Sequence, residues 1–441
     1  MKKITYWSIT VSLAGFLFGF DTAVISGADR PVQALWQLSP MDHGIWIMSS
    51  ALWGTVLGAL FANIPCDRLG RKKTLVFIGL LFLLSALGSA VAPEPISFSV
   101  LRFLGGIGVG ISSIVVPAYI SEIAPPKNRG KLAALYQFQI VFGILIAFLS
   151  NYAISVLIGL NWRIMLGLEV IPALAYLVMV SRVKESPRWL IVKKGDVAQA
   201  RAIMQELGVQ NTEQQIAEIQ QDASFHASAN LFVKSNFIPV TLAFLIAFFN
   251  QASGINFIMY FAPRVFELAG LDASSALLST AGVGVTNLVF TMLGVYLIDR
   301  CGRKNLMVIG SLGYICSLAA VSYSFFTGLG GVAVACFVFA FIASHAIGQG
   351  AVIWVFIAEI FPNQVRTAGL SLGCSTHWVF AALITLSMPL VISVFEPWVI
   401  FCFFSSMMVL QLLWVLFVMP ETKGKSLEAV SDGLLVKRVR N

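Results

Sequence analysis

Apolar runs of about 20 residues recur along the whole chain, and they constrain its fold before any other feature does. Each is long enough for one helix across a hydrocarbon core of about 30 Å. Inside such a core the backbone must satisfy its own hydrogen bonds, which favours helices over open strands. The runs fall at about 5–27, 44–66, 74–92, 99–121, 132–155, 161–181, 236–261, 274–298, 305–327, 331–357, 367–394 and 397–419. Composition agrees: 58% of the residues are apolar and 11% charged, against about 25% charged in soluble domains. So few polar groups could not cover a water-facing globule. The run after Lys3 is too long for a secretory signal and lacks a convincing cleavage site, so it reads as the first span.

The net charge of +8 invites a nucleic-acid reading, but its distribution excludes one. Of 29 Lys and Arg, 25 collect in the termini and in every other inter-span segment, leaving only Arg30, Arg102, Arg163 and Arg264. By the positive-inside rule both termini and the central linker are cytoplasmic in a multi-pass protein of a plasma or bacterial inner membrane. The expected organisation is a six-helix bundle over 1–181, a cytoplasmic helical linker over 182–235, a second six-helix bundle over 236–419 and a cytoplasmic tail over 420–441. Within the linker, helical periodicity marks about 195–207 and 212–221. Six cysteines stand singly with no CxxC spacing, which indicates neither a disulfide framework nor a metal site.

A signature, Asp67-Arg68-Leu69-Gly70-Arg71-Lys72, returns as Asp299-Arg300-Cys301-Gly302-Arg303-Lys304, 232 positions later. A second pair runs in step: Glu122 with Arg129, and Glu359 with Arg366, 237 positions apart. Two repeats in register imply two homologous halves carrying the same charged loops on the same membrane face. The fold class is therefore all-α, with twelve transmembrane helices in two pseudo-symmetric bundles.

Charge inside a span costs several kcal/mol or more and marks function by default. Asp21, Arg102 and Glu169 are three such residues, all expected in the outer half of the bilayer. A carboxylate that gains and loses a guanidinium partner can couple to protons, whereas one that keeps it is a static ion pair. The residues leave both readings open. Uncharged polar and aromatic groups also lie within the spans: Gln137, Asn250, Gln251, Asn256, Asn287, Trp354, His377 and Trp378. Amides offer donors and acceptors, and an indole can stack on the apolar face of a sugar ring. As a group they suit a neutral polyhydroxy ligand. Gln251 and Asn256 are five apart, off one helix face, unless Gly254 interrupts the helix. Gly105, Gly106, Gly108 and Gly110 follow no strand, so they indicate close helix contact and not dinucleotide binding.

Over nearly its whole length the chain resembles the sugar porter family of the major facilitator superfamily. The matching stretches are GFDTAVISG (19–27), DRLGRKK (67–73), PAYISEIAPPKNRG (117–130), WRIMLGLEVIPA (162–173), ESPRWL (185–190), SGIN (253–256), DRCGRK (299–304), AEIFPNQVR (358–366) and PETKG (420–424). The resemblance implies alternating access about a central site. It places Asp21 at the proton-linked aspartate of sugar/proton symporters, paired with Arg102 and accompanied by Glu169. It puts Gln137, Gln251, Asn256, Asn287 and Trp354 on sugar-binding positions, and Phe18 and Tyr260 on aromatic contacts or gates. Asp67, Arg71, Glu122, Arg129, Glu185, Arg188, Asp299, Arg303, Glu359 and Arg366 match a cytoplasmic gate network. Departures bear on which sugar is carried: Asn250-Gln251 replaces the usual Gln-Gln, Ala351 replaces a proline, and His345 and His377 stand at unusual positions.

The expectation is a proton-coupled monosaccharide symporter, with a neutral monosaccharide, a proton and the bilayer as partners, no cofactor or metal, and a monomeric chain. The rivals are an uncoupled facilitator, a polyol or cyclitol symporter and a sugar sensor. An enzyme is not expected, because no GxSxG, HExxH or P-loop is present.

Overall fold

The computed structural model describes residues 2–209, 211–225, 230–362 and 364–424, and it is helical throughout these ranges apart from short turns. Eleven helices are long and apolar enough to cross a membrane. A twelfth crossing is the pair Pro40–Met48 and Ser50–Phe61, bent by 40°. The first helix, Lys2–Leu35, outruns the expected end at 27. It continues because Asp29, Arg30 and Gln33 all find polar partners on other segments. The sixth crossing is two helices, Trp162–Gly167 and Val170–Ser181, and the tenth is Gly331–Ile347 and Gln349–Ile360, divided at Gly348.

The chain forms two compact units. One comprises Met1–Thr22, Ser50–Ala147 and Arg163–Ala227; the other comprises Ala23–Ser49, Phe148–Trp162 and Ser228–Asn441. In the first unit, glycines let helices touch backbone to backbone. A Cβ at Gly106 would lie 1.8 Å from the Ala51 carbonyl oxygen, and one at Gly110 would lie 2.3 Å from that of Thr55. The contact is reciprocal, since a Cβ at Gly54 would lie 2.1 Å from the Phe103 oxygen. Gly19 and Gly143 join the helices Lys2–Leu35 and Pro126–Ile158 in the same way, against Ile140 and Phe16. Without a hydrophobic force between helices in lipid, such close van der Waals approach is a main source of cohesion.

The expected linker helices form at Val197–Glu206 and Thr212–Phe225. Asp196 caps the first by accepting from Gln199 N–H at 2.9 Å. The linker is more than a solvated strap, because Ala200, Ile203 and Met204 are buried in the core of the first unit. The Tyr119 hydroxyl donates to Lys184 O at 2.7 Å, tying the linker entry to the helix Pro95–Ile123. Residues 425–441 of the expected tail lie outside the described residues.

Candidate functional site

In the first unit, Asp21, Arg102 and Glu169 come together at 1%, 2% and 1% exposure. Arg102 donates through Nη1 to the Asp21 carboxylate and through Nη2 to the Asp21 backbone oxygen at 2.9 Å. Glu169 stands at the break of the sixth crossing, just before Val170–Ser181, and its carboxyl lies within electrostatic reach of Asp21 and Arg102. Its Oε1 is buried without a hydrogen-bond partner. Gly105 opens the opposite flank: a Cβ there would lie 3.6 Å from Asp21 Oδ1 and 2.4 Å from the Ser85 hydroxyl. Two carboxyls thus face one guanidinium in an apolar surround. Uncompensated buried charge is costly, so charge balance is met when one proton resides on the carboxyl pair.

In the second unit the seventh crossing is interrupted where the sequence indicated. The helix Phe237–Ala252 ends, Gly254 takes φ 81°, and the helix Ile255–Leu268 begins. Only glycine fits well there, because the conformation is left-handed and a Cβ would lie 2.7 Å from the Phe404 ring. The interruption brings Gln251 and Asn256 together, with Asn256 Nδ2 donating to Gln251 Oε1 at 2.9 Å. Gln251 Nε2 donates to Asn250 Oδ1 at 3.0 Å and lies 3.2 Å from the His377 ring nitrogens. The His377 ring is 5.1 Å from that of Trp354 and 4.8 Å from that of Trp378, centroid to centroid.

A chain of amides supports this cluster from behind, and the sequence reading missed it. Asn250 Nδ2 donates to Gln349 Oε1 at 3.4 Å, Gln349 Nε2 to Gln411 Oε1 at 2.8 Å, and Gln411 Nε2 to Ser311 Oγ at 2.8 Å. Its signal was present as uncharged amides within apolar runs. His345 is held differently from the amides: its Nδ1 pairs with the Tyr314 hydroxyl at 2.5 Å. Asn287 is buried and accepts from Thr291 Oγ1 on its own helix, and Tyr260 is buried at 1%. Gln137 and Phe18 belong to the first unit, each half-buried.

The duplicated loops fold alike. Arg71 forms a fork on Glu122, at 2.9 and 3.1 Å, and Arg303 forms one on Glu359, at 2.7 and 3.0 Å. Asp67 and Asp299 lie 3.9 and 3.3 Å from these guanidiniums. Gly70 and Gly302 both have φ 86° and expose the start of the next helix. Glu185 then accepts from the N–H groups of Arg71 and Lys72, and Glu421 from those of Arg303 and Lys304. Glu421 was not singled out from sequence, although it stands in the PETKG stretch. Arg188 and Arg366 are half-buried, and the side chain of Arg129 lies outside the described residues.

A further cluster went unread. In the second unit, His43 Nε2 is 2.7 Å from Asp29 Oδ1, and Asp29 Oδ2 is 2.9 Å from Arg264 Nε, all of it buried. The expected first span ended at about 27, short of Asp29 and Gln33, and nothing local marked their distant partners.

A buried ionic group among apolar helices and an uncharged donor-acceptor cluster flanked by rings are means of moving polar solutes across a bilayer. The class is a multi-pass membrane transporter and not an enzyme. The family model "Sugar (and other) transporter" matches residues 7–434. The chain is 32% identical over 434 residues to the arabinose-proton symporter of Bacillus subtilis (strain 168), covering 96% of this chain and 93% of that protein. It is likewise 32% identical over 461 residues to the D-xylose-proton symporter of Escherichia coli (strain K12), covering 96% and 94%. The inward-open structure of the xylose transporter XylE from E. coli matches with a TM-score of 0.86 at 32% identity, over 97% of this chain and 99% of that one. The chain belongs to the sugar porter family of the major facilitator superfamily.

Proposed function

We propose that the protein imports a neutral monosaccharide by proton symport, with Asp21 as the proton-accepting group. The observation that carries this reading is the buried pairing of Asp21 with Arg102 beside a second carboxyl, Glu169. Protonation of Asp21 weakens its hold on Arg102, and release of that pair is the step that permits sugar binding. Loss of the proton to the cytoplasm restores the pair and resets the carrier. The chain's similarity to an arabinose-proton symporter and a D-xylose-proton symporter supports both the coupling and the substrate class.

Gln251, Asn250, Asn256 and His377 supply neutral donors and acceptors for hydroxyl groups, and Trp354 supplies a face on which a sugar ring can stack. Gln137, Asn287, Trp378, Phe18, Tyr260 and His345 complete the proposed substrate set. Arg71, Glu122, Arg303 and Glu359, with Asp67, Glu185, Arg188, Asp299, Arg129 and Arg366, form the proposed cytoplasmic gate. The working unit is one chain in a bacterial inner membrane, with both termini cytoplasmic.

The decisive experiment uses purified protein in proteoliposomes. Asp21→Asn should abolish uphill accumulation driven by an imposed pH gradient while sparing sugar counterflow. Accumulation by Asp21→Asn equal to that of the wild type would remove Asp21 as the coupling group. Sugar entry in the wild type without proton movement would identify an uncoupled facilitator instead.

A further inference from the structure

Beside the duplicated loop of the first unit lies a groove of about 530 Å³ whose walls are apolar, Arg68 among the residues that line it. One stripe runs along it: Leu57, Phe61, Ile64 and Arg68, spaced four, three and four residues apart. Leu57 and Phe61 share one face of the helix Ser50–Phe61, and Ile64 and Arg68 share one face of the next helix, Asn63–Leu69. The stripe ends at Arg68. Leu57, Phe61 and Ile64 are 42%, 56% and 50% exposed. Leu69 and Phe77, from the same groove, are also exposed. In a multi-pass protein an exposed wall of this kind faces hydrocarbon.

The charge carried by Arg68 distinguishes the groove from an ordinary lipid-facing surface. Arg71 is engaged by Glu122, and Asp67 by Lys193 at 2.8 Å. Among the described residues Arg68, which lines the groove, has no ion-pair partner. The second half disposes of its equivalent differently: the Arg300 guanidinium sits over the Tyr296 ring, 4.1 Å from its centroid. Tyr296 corresponds to Ile64 through the repeated signature. Where the second half gives its arginine an aromatic face, the first half gives it an open apolar trough.

We propose that this groove is a binding site for an anionic phospholipid, with an acyl chain along Leu57, Phe61 and Ile64 and the phosphate on Arg68. A guanidinium is well shaped for phosphate oxygens, and basic pockets among spanning helices bind anionic headgroups on the cytoplasmic side. The site is independent of the sugar and proton assignments.

The test titrates delipidated full-length protein with dioleoyl phosphatidylglycerol or dioleoyl phosphatidylcholine and counts bound lipids by native mass spectrometry. Arg68→Gln should lower first-site phosphatidylglycerol affinity about fivefold, the size of one basic contact at a membrane surface, and leave phosphatidylcholine unchanged. Arg68→Lys should retain most of the preference. Ile64→Trp, which fills the trough while keeping the charge, should lower binding of both lipids. Lys73→Gln, which removes an exposed cation of the same loop, should change neither. Glycerol phosphate, a headgroup without chains, should not compete. Unchanged phosphatidylglycerol affinity in Arg68→Gln or Ile64→Trp overturns the site. So does an equal loss in Lys73→Gln, which would mean diffuse surface charge, or displacement of the lipid by glycerol phosphate, which would mean a bare phosphate site.

Discussion

Glu421 shows how much one carboxylate can organise. Burial pushes its carboxyl up, but backbone N–H groups of Lys423, Arg303, Lys304 and Thr422 outweigh burial and hold it below its ordinary value. It thereby fastens the chain after the last crossing to the start of the helix Arg303–Thr327, whose first N–H groups would otherwise be orphaned. An acid held below its ordinary value stabilises the fold above the usual carboxylate range, and that contribution disappears as pH falls through the folded value. Glu421→Ala should therefore lower the melting temperature by about 2 °C at neutral pH. The gap to wild type should narrow at about pH 4 and below, as the wild type loses a charge that the variant never carried. Thermal unfolding followed by intrinsic tryptophan fluorescence at the two pH values measures it, and a gap independent of pH would assign the effect to packing. Glu185 makes the equivalent contacts in the first half.

At the scale of elements, the glycines of the helix Pro95–Ile123 separate contact from mere smallness. A Cβ at Gly106 would meet a backbone oxygen at 1.8 Å, whereas one at Gly108 would find its nearest neighbour, Leu81 Cβ, at 3.4 Å. Gly106→Ala should cost about 3 kcal/mol, the upper range of overpacking, because backbone cannot yield as a side chain does. Gly108→Ala should be tolerated. Yields of monodisperse protein on size-exclusion chromatography would compare them, and equal yields would show that these helices can separate without cost. The crossings themselves were legible because apolar length suffices to announce them. Asp21, Arg102 and Glu169 were legible for the converse reason, as charges where apolar residues are the rule. Asp29 with His43 and Arg264 was hidden, since the first helix had no sequence mark telling it to run on to Leu35. The amide chain through Gln349 and Gln411 was hidden too, because its members are joined across 99 and 62 positions. Local pattern reports what a residue is, and only the fold reports whom it meets.

Across the whole molecule, duplication has kept the loops and divided the interiors. Both halves carry the forked arginine, the left-handed glycine and the capping glutamate. The buried ionic group lies in the first unit, whereas the interlinked amides and stacked rings around Gln251 lie in the second. If the first unit handles the proton and the second recognises the sugar, the two tasks should separate under mutation. Gln251→Ala removes the side chain that holds Asn250, Asn256 and His377 together. It should weaken sugar affinity about tenfold, as loss of one or two net hydrogen bonds would. The ratio of protons to sugar molecules in each uptake event should stay at its wild-type value, because Asp21 and Arg102 are untouched. Asp21→Asn should do the reverse, abolishing the proton flux while leaving sugar affinity in exchange near that of the wild type. Parallel measurement of proton and radiolabelled sugar fluxes in proteoliposomes distinguishes the cases. A changed ratio in Gln251→Ala would mean that the amide cluster takes part in coupling, and the division of labour between the two units would have to be given up.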